Sequence, residues 1–129
     1  MTDRKQRGGR AYALGVTAED AGCAALSLDG WTVLARRLRT AAGEVDVVAG
    51  KDGVLAIIEV KARPTLSGAA LSLSARQRAR LLAAGEILLA GHPEWADAGW
   101  GVAGVRFDVL LVDAAGSVRR IADAFRQED

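Results

Sequence analysis

Two spacings of apolar residues alternate along this chain, one near helical period and one near two. Ala18, Ala21, Ala25 and Leu28 recur at helical spacing after Thr17, a pattern that predicts an amphipathic helix. Thr17 with Asp20 three residues later resembles an N-terminal capping box, with Asp in place of the usual Glu or Gln, and Gly30 can stop that helix. From Trp31 to Leu38 the pattern turns β-like, with Trp31, Val33 and Ala35 alternating against Thr32, Leu34 and Arg36. Glu44 to Ala49 and Val54 to Val60 are two further strand-like runs, separated by Gly50-Lys51-Asp52-Gly53. An Asp-Gly pair between β-prone runs predicts a tight hairpin, because both turn residues must tolerate positive φ.

Ala62 to Leu73 reads as a loop of small residues containing Pro64 and Gly68. Ser74 is a good N-cap for a helix from about Ala75 to Ala90, which Gly91, His92 and Pro93 break. Glu94 to Gly101 has room for a short helical turn. Val105 to Val112 is apolar enough to be a strand buried on both faces, and Ser117 to Ala124 reads as a final strand. The order predicts an α/β fold: helix, three-stranded meander, helix, strand, with one mixed sheet flanked by helices. Met1 to Arg10, with Arg4, Lys5, Arg7 and Arg10 beside Gly8-Gly9, reads as a flexible basic arm. Residues 11–129 then form a single domain.

Composition narrows the function. Half of the 129 residues are apolar and only 5% are aromatic, so the core must be built mainly from Ala, Val and Leu. With 17 basic and 16 acidic residues the formal charge is +1, which excludes a uniformly basic nucleic-acid coat protein but allows local basic patches. One cysteine, Cys23, and one histidine, His92, leave no intrachain disulfide and no Cys/His zinc site. A reducing, cytoplasmic setting fits this usage. No run approaches the ~20 apolar residues of a membrane-spanning helix, and Met1 to Arg10 lacks the apolar segment of a secretory signal.

The chemistry concentrates on the hairpin. A two-residue Asp52-Gly53 loop makes facing residues sum to 105, which sets Asp46 opposite Glu59 and Glu44 opposite Lys61. Like charges facing each other across neighbouring strands destabilise the pair, unless a divalent cation lies between them. Mg²⁺ suits one or two carboxylates with waters, and the Val60 carbonyl is a candidate third ligand. Lys61 shares the face of Glu59, where an ammonium can hold a water or stabilise developing charge. Glu59 also follows the apolar run Val54-Leu55-Ala56-Ile57-Ile58, an odd place for an acid that serves only solubility.

Gly43-Glu44-Val45-Asp46-Val47-Val48, the hairpin, and Ile58-Glu59-Val60-Lys61-Ala62-Arg63 together resemble the PD-(D/E)XK nuclease signature. More narrowly they resemble the YraN-like family of small endonucleases, related in fold to archaeal Holliday-junction resolvases. The similarity runs from about Gly15 to Val112. It implies a restriction-endonuclease-like core, Asp46 and Glu59 as metal ligands, and Lys61 as the catalytic lysine. Glu19 matches the family's early helical glutamate and Gln77 a glutamine on the later helix, both beside the site. Arg106-Phe107-Asp108-Val109 resembles the closing strand motif. The chain departs from the pattern in having Ala18 before Glu19, where Gly is usual, and Arg76 before Gln77, where Lys is frequent; neither change touches Asp46, Glu59 or Lys61.

The expectation is therefore an Mg²⁺- or Mn²⁺-dependent endonuclease acting on DNA, with branched or damaged DNA in repair or recombination as the natural substrates. Arg36, Arg37 and Arg39, then Arg63, then Arg76 and Arg80 are the candidate phosphate contacts. Cutting both strands of a symmetric junction would favour a homodimer. The alternatives are a nucleic-acid-binding module that keeps the fold without catalysis, and a scaffold subunit. Trp31 reads as core, Trp95 and Trp100 as caps on the sheet or base-stacking groups, and Cys23 as a small buried residue.

Overall fold

The computed structural model describes residues 18–66 and 73–125; the basic arm, Thr17 and the centre of the 62–73 loop lie outside them. A first helix, α1 (18–28), leads into a three-stranded meander of β1 (Thr32–Thr40), β2 (Gly43–Lys51) and β3 (Val54–Ala62). Helix α2 (Ala75–Gly91) and a single short turn, α3 (Pro93–Asp97), precede β4 (Gly104–Val112) and β5 (Val118–Phe125). The five strands form one mixed sheet in the order β1-β2-β3-β4-β5. Only the β3/β4 pair is parallel, as expected for two strands joined through a helix.

The hairpin forms as its turn residues dictate. Asp52 and Gly53 both take positive φ, 51° and 78°, and Lys51 pairs with Val54. The register then follows the sum of 105 as far as Val47 opposite Ile58. Both faces of the sheet are covered. On one side Val45, Val48, Leu55, Ile57 and Phe107 pack under Leu81, Ala84 and Leu88 of α2 and under Trp95. On the other, Val47, Ala49, Ala56, Ile58 and Leu110 pack under Leu26 and Trp31. β4 is buried without interruption from Phe107 to Val112, because it has a strand on each side and a helix layer above and below.

Two expectations about faces need correction. The buried stripe of α1 runs through Ala18, Gly22 and Leu26, whereas Leu28 is 91% exposed. Small residues fill this helix, so several apolar stripes compete and the one carrying Leu26 wins by burying the larger side chain. In β1, Val33 joins the α1-side cluster but Ala35 joins the α2 side. A register shift between Val33 and Ala35 moves the later residues to the opposite face. Cys23 is half-buried rather than buried. Trp31 and Trp95 are core, while Trp100 is partly buried.

Candidate functional site

The site lies where β2 and β3 part, at the end of the hairpin far from its turn. Pairing stops at Val47 and Ile58, one step before Asp46 and Glu59 would face each other as a ladder pair. Instead the Asp46 side chain turns into the gap, and its Oδ2 accepts the Val60 N–H at 2.7 Å. On the other side of β2 the pairing runs Arg36 with Val47 and Leu38 with Val45, leaving Arg37 and Asp46 at one level. Arg37 has a φ of 53°, a left-handed conformation that costs a non-glycine residue about 1 kcal/mol or more. Val47 and Val45 consequently face opposite sides of the sheet although they are two residues apart. Both strands thus kink together at Asp46.

The kink aims arginines at acids. Arg37 Nε donates to Glu19 Oε2 at 3.2 Å, and Arg36 Nε to Glu19 Oε1 at 3.2 Å. Glu19 is only 8% exposed on α1, and this double pairing gives both of its buried oxygens a donor. Arg36 also donates to Asp20 at 2.7 Å.

Glu59 lies on the α2 side, with Oε1 3.7 Å from an Arg80 guanidinium nitrogen. Its Oε2 is buried and has no hydrogen-bond partner among the described residues, an expensive state for a carboxylate oxygen. Lys61 follows on the same face by strand alternation and is only 9% exposed. No side-chain hydrogen bond or ion pair joins its ammonium to another described residue. Burial pushes the Asp46 carboxyl up from 3.8 to about 6; the Val60 N–H opposes this, and the negative charges of Glu59, Glu19 and Glu44 add to it.

These features bring Asp46, Glu59, Val60 and Glu19 into one neighbourhood, with Lys61 following Glu59 on its strand. Val60 enters through its N–H. Glu44 does not face Lys61: it is exposed and pairs with Arg39 on β1 at 3.7 Å. Gln77 sits in the first turn of α2, where its Oε1 accepts from the Ser74 N–H and its own N–H donates to Ser74 Oγ. That carbonyl is occupied by the helix cap. Arg63 donates to the Ala62 carbonyl at 2.8 Å, and Arg76 is exposed on α2. The left-handed Arg37 beside Asp46 is the feature of this candidate site that the sequence did not reveal.

Hard oxygen donors and a buried, unpartnered Oε2 suit a small divalent cation. No three Asp, Glu, His or Cys side chains among the described residues converge as a metal-ligand group. A second charged group lies elsewhere on the sheet. Asp108, with a fully buried side chain, pairs with Arg106 at 3.1 Å and Arg120 at 3.8 Å. Both guanidinium groups lie over the Trp31 ring, at 4.9 and 5.3 Å, an arrangement that ties β4 and β5 to the start of β1. No helix among the described residues is long and apolar enough to cross a membrane.

The chain is similar to proteins of several bacteria. A UPF0102 protein of Granulibacter bethesdensis is 57% identical over 123 residues, covering 95% of this chain and 75% of that protein. One from Azorhizobium caulinodans is 43% identical over 127 residues, covering 98% and 93%. A third, from Acidiphilium cryptum, is 50% identical over 100 residues, covering 78% and 73%. The pattern of the uncharacterised protein family UPF0102 matches residues 18–112, which span α1 through β4 and hold every residue of the site described above; the chain belongs to that family.

Proposed function

We propose that this protein is a metal-dependent endonuclease that hydrolyses DNA phosphodiester bonds, built on a restriction-endonuclease-like core. The observation that carries the reading is the half-buried Glu59 carboxylate: its Oε2 is buried and unpartnered among the described residues, and it lies near a second carboxylate held by a backbone N–H and two residues before a buried lysine. Helix, meander, helix and strand in that order support the same core. The members of the family described above carry no functional name, so the assignment stands on the site.

Asp46 and Glu59 would hold Mg²⁺ or Mn²⁺, which supplies positive charge for the oxygens of a phosphodiester as it is attacked. The Val60 N–H fixes one Asp46 oxygen and leaves the other directed away from that bond. Lys61 donates hydrogen bonds to the attacking water or to a phosphate oxygen, and its low exposure strengthens that interaction. Glu19, tied to Arg36 and Arg37, anchors the far side of the site. Arg36, Arg37, Arg39, Arg63, Arg76 and Arg80 supply phosphate contacts despite the chain's near-neutral charge. A cytoplasmic homodimer acting on branched or damaged DNA completes the proposal.

The test is cleavage of junction, flap and linear DNA with Mn²⁺, comparing the wild type with Asp46→Ala and Lys61→Ala. Metal-dependent cutting that both variants lose supports the reading; the same residual cutting in all three proteins refutes it. The absence of a three-residue metal-ligand group among the described residues favours one alternative, a nucleic-acid-binding module without catalysis. Salt-dependent DNA binding with no metal-dependent cleavage would establish it.

A further inference from the structure

Three of the four acids around the candidate site carry an arginine within 4 Å: Glu19 has Arg36 and Arg37, Glu44 has Arg39, and Glu59 has Arg80. Asp46 has a backbone N–H instead. Of these arginines, Arg80 alone reaches the acid whose second oxygen is buried and unpartnered. Its position is built into the fold. A Cβ added to Gly43 would lie 2.7 Å from Arg80 Cδ and 2.9 Å from Cγ, closer than carbon atoms pack. The arginine stem therefore rests in a space that only glycine leaves open, and this carries the guanidinium from α2 across the start of β2 to Glu59.

The resulting pair is loose. At 3.7 Å, with the Arg80 side chain 44% exposed, it is held by charge and not by a hydrogen bond. A cation entering at Glu59 would meet a positive charge already in place, and like charges at this range repel.

We propose that Arg80 is an exchangeable counter-ion: it neutralises Glu59 while no cation is bound and transfers to a phosphate of the nucleic acid when the cation enters. This rests on the nuclease reading above and adds a coupling to it. Phosphate that draws Arg80 away from Glu59 strengthens cation binding, and by linkage the cation strengthens phosphate binding by the same factor. Metal and DNA then bind cooperatively, and Arg80 is a positioning residue for Glu59.

The experiment is calorimetric titration of Mn²⁺ into the full chain at low salt, without DNA and with a hydrolysis-resistant phosphorothioate duplex. Without DNA, Arg80→Gln is expected to bind Mn²⁺ about 3- to 10-fold more tightly than the wild type, since one opposing charge is gone. Arg80→Lys, which keeps the charge, should stay near the wild type. The duplex should raise Mn²⁺ affinity several-fold in the wild type and less in Arg80→Gln, and the salt slope of duplex binding should fall by about 1. Structural damage weakens ligand binding, so tightening distinguishes the counter-ion role from a merely structural one. Unchanged or weaker Mn²⁺ binding in Arg80→Gln, with Mn²⁺ binding abolished in Asp46→Asn, overturns the counter-ion proposal and leaves the nuclease reading intact. A wild type that binds no Mn²⁺, or an Asp46→Asn variant that binds it equally well, overturns both.

Discussion

Replacing Asp46 by Asn should stabilise the metal-free protein at pH 8. The Asp46 carboxyl is pushed up to about 6 from 3.8, chiefly by burial. The folded state therefore holds this proton more tightly than the unfolded chain does. Below about pH 4 both states are protonated and the group is neutral in its effect on stability. As pH rises through 4 to 6 the unfolded chain ionises first, and above 6 the folded state must carry a poorly solvated charge. The sign is a penalty on folding that is absent in acid and complete above pH 6. At about 1.4 kcal/mol per tenfold change in proton affinity, the unscreened penalty is ~3 kcal/mol. The side chain is only partly buried, so screening by water reduces this to ~1–2 kcal/mol.

Asn removes the charge and keeps an oxygen to accept the Val60 N–H. Urea denaturation of both proteins in EDTA, at pH 8 and pH 4.5, measures the difference. Asp46→Asn should gain ~1–2 kcal/mol at pH 8 and lose about a third to a half of that gain at pH 4.5. On the nuclease reading, Mn²⁺ at about ten times its Kd should restore ~1.4 kcal/mol to the wild type at pH 8 and nothing to the variant. A variant less stable than the wild type at pH 8, or a difference that ignores pH, would show that the Val60 bond outweighs the burial penalty and that the reasoning is wrong.

Three further outcomes follow from the same geometry. Lys61→Met removes an ammonium on a residue that is 9% exposed and keeps its aliphatic stem; on the nuclease reading, cleavage should fall by at least ~100-fold while the urea midpoint holds or rises. Asp108→Asn leaves Arg106 and Arg120 without the buried charge they share, and should cost ~2–4 kcal/mol by the same denaturation assay. Gly50→Ala places a Cβ 2.4 Å from Trp100 Cε3, an overpacking worth ~1–3 kcal/mol; adding Trp100→Ala should recover part of that loss, which a double-mutant cycle measures.

Signals confined to a few neighbouring residues were legible in the sequence. Asp52-Gly53 fixed its turn, because positive φ at both positions is a local demand that Asp and Gly meet. Ser74 announced its helix, and its partner Gln77 completes a capping box; for Gln77 that local bond competes with the site role implied by resemblance. The apolar run of β4 correctly signalled a strand covered on both faces. Where several patterns were equally apolar, tertiary packing decided: Leu26 took the core place expected of Leu28 because α1 has no single dominant stripe.

The candidate site was legible only in part, for a different reason. Counting from the turn located Asp46 and Glu59 at the same level, and the register holds to the adjacent pair. Simple alternation then predicts two acids facing each other across a continued ladder. The structure ends the ladder there and turns Asp46 onto the Val60 N–H, while the charge of Glu59 still pushes the Asp46 carboxyl up. The price is a left-handed Arg37 at the same level of β1, whose guanidinium offsets the charge of Glu19. No propensity argument predicts a left-handed arginine within a strand, because on its own it is unfavourable. It is accompanied by the pairing of Arg36 and Arg37 with the helix acid Glu19, a tertiary contact that no local rule contains. The position where local rules fail is thus the position where the carboxylates gather, and on the nuclease reading that coincidence is what a site trading stability for chemistry would show.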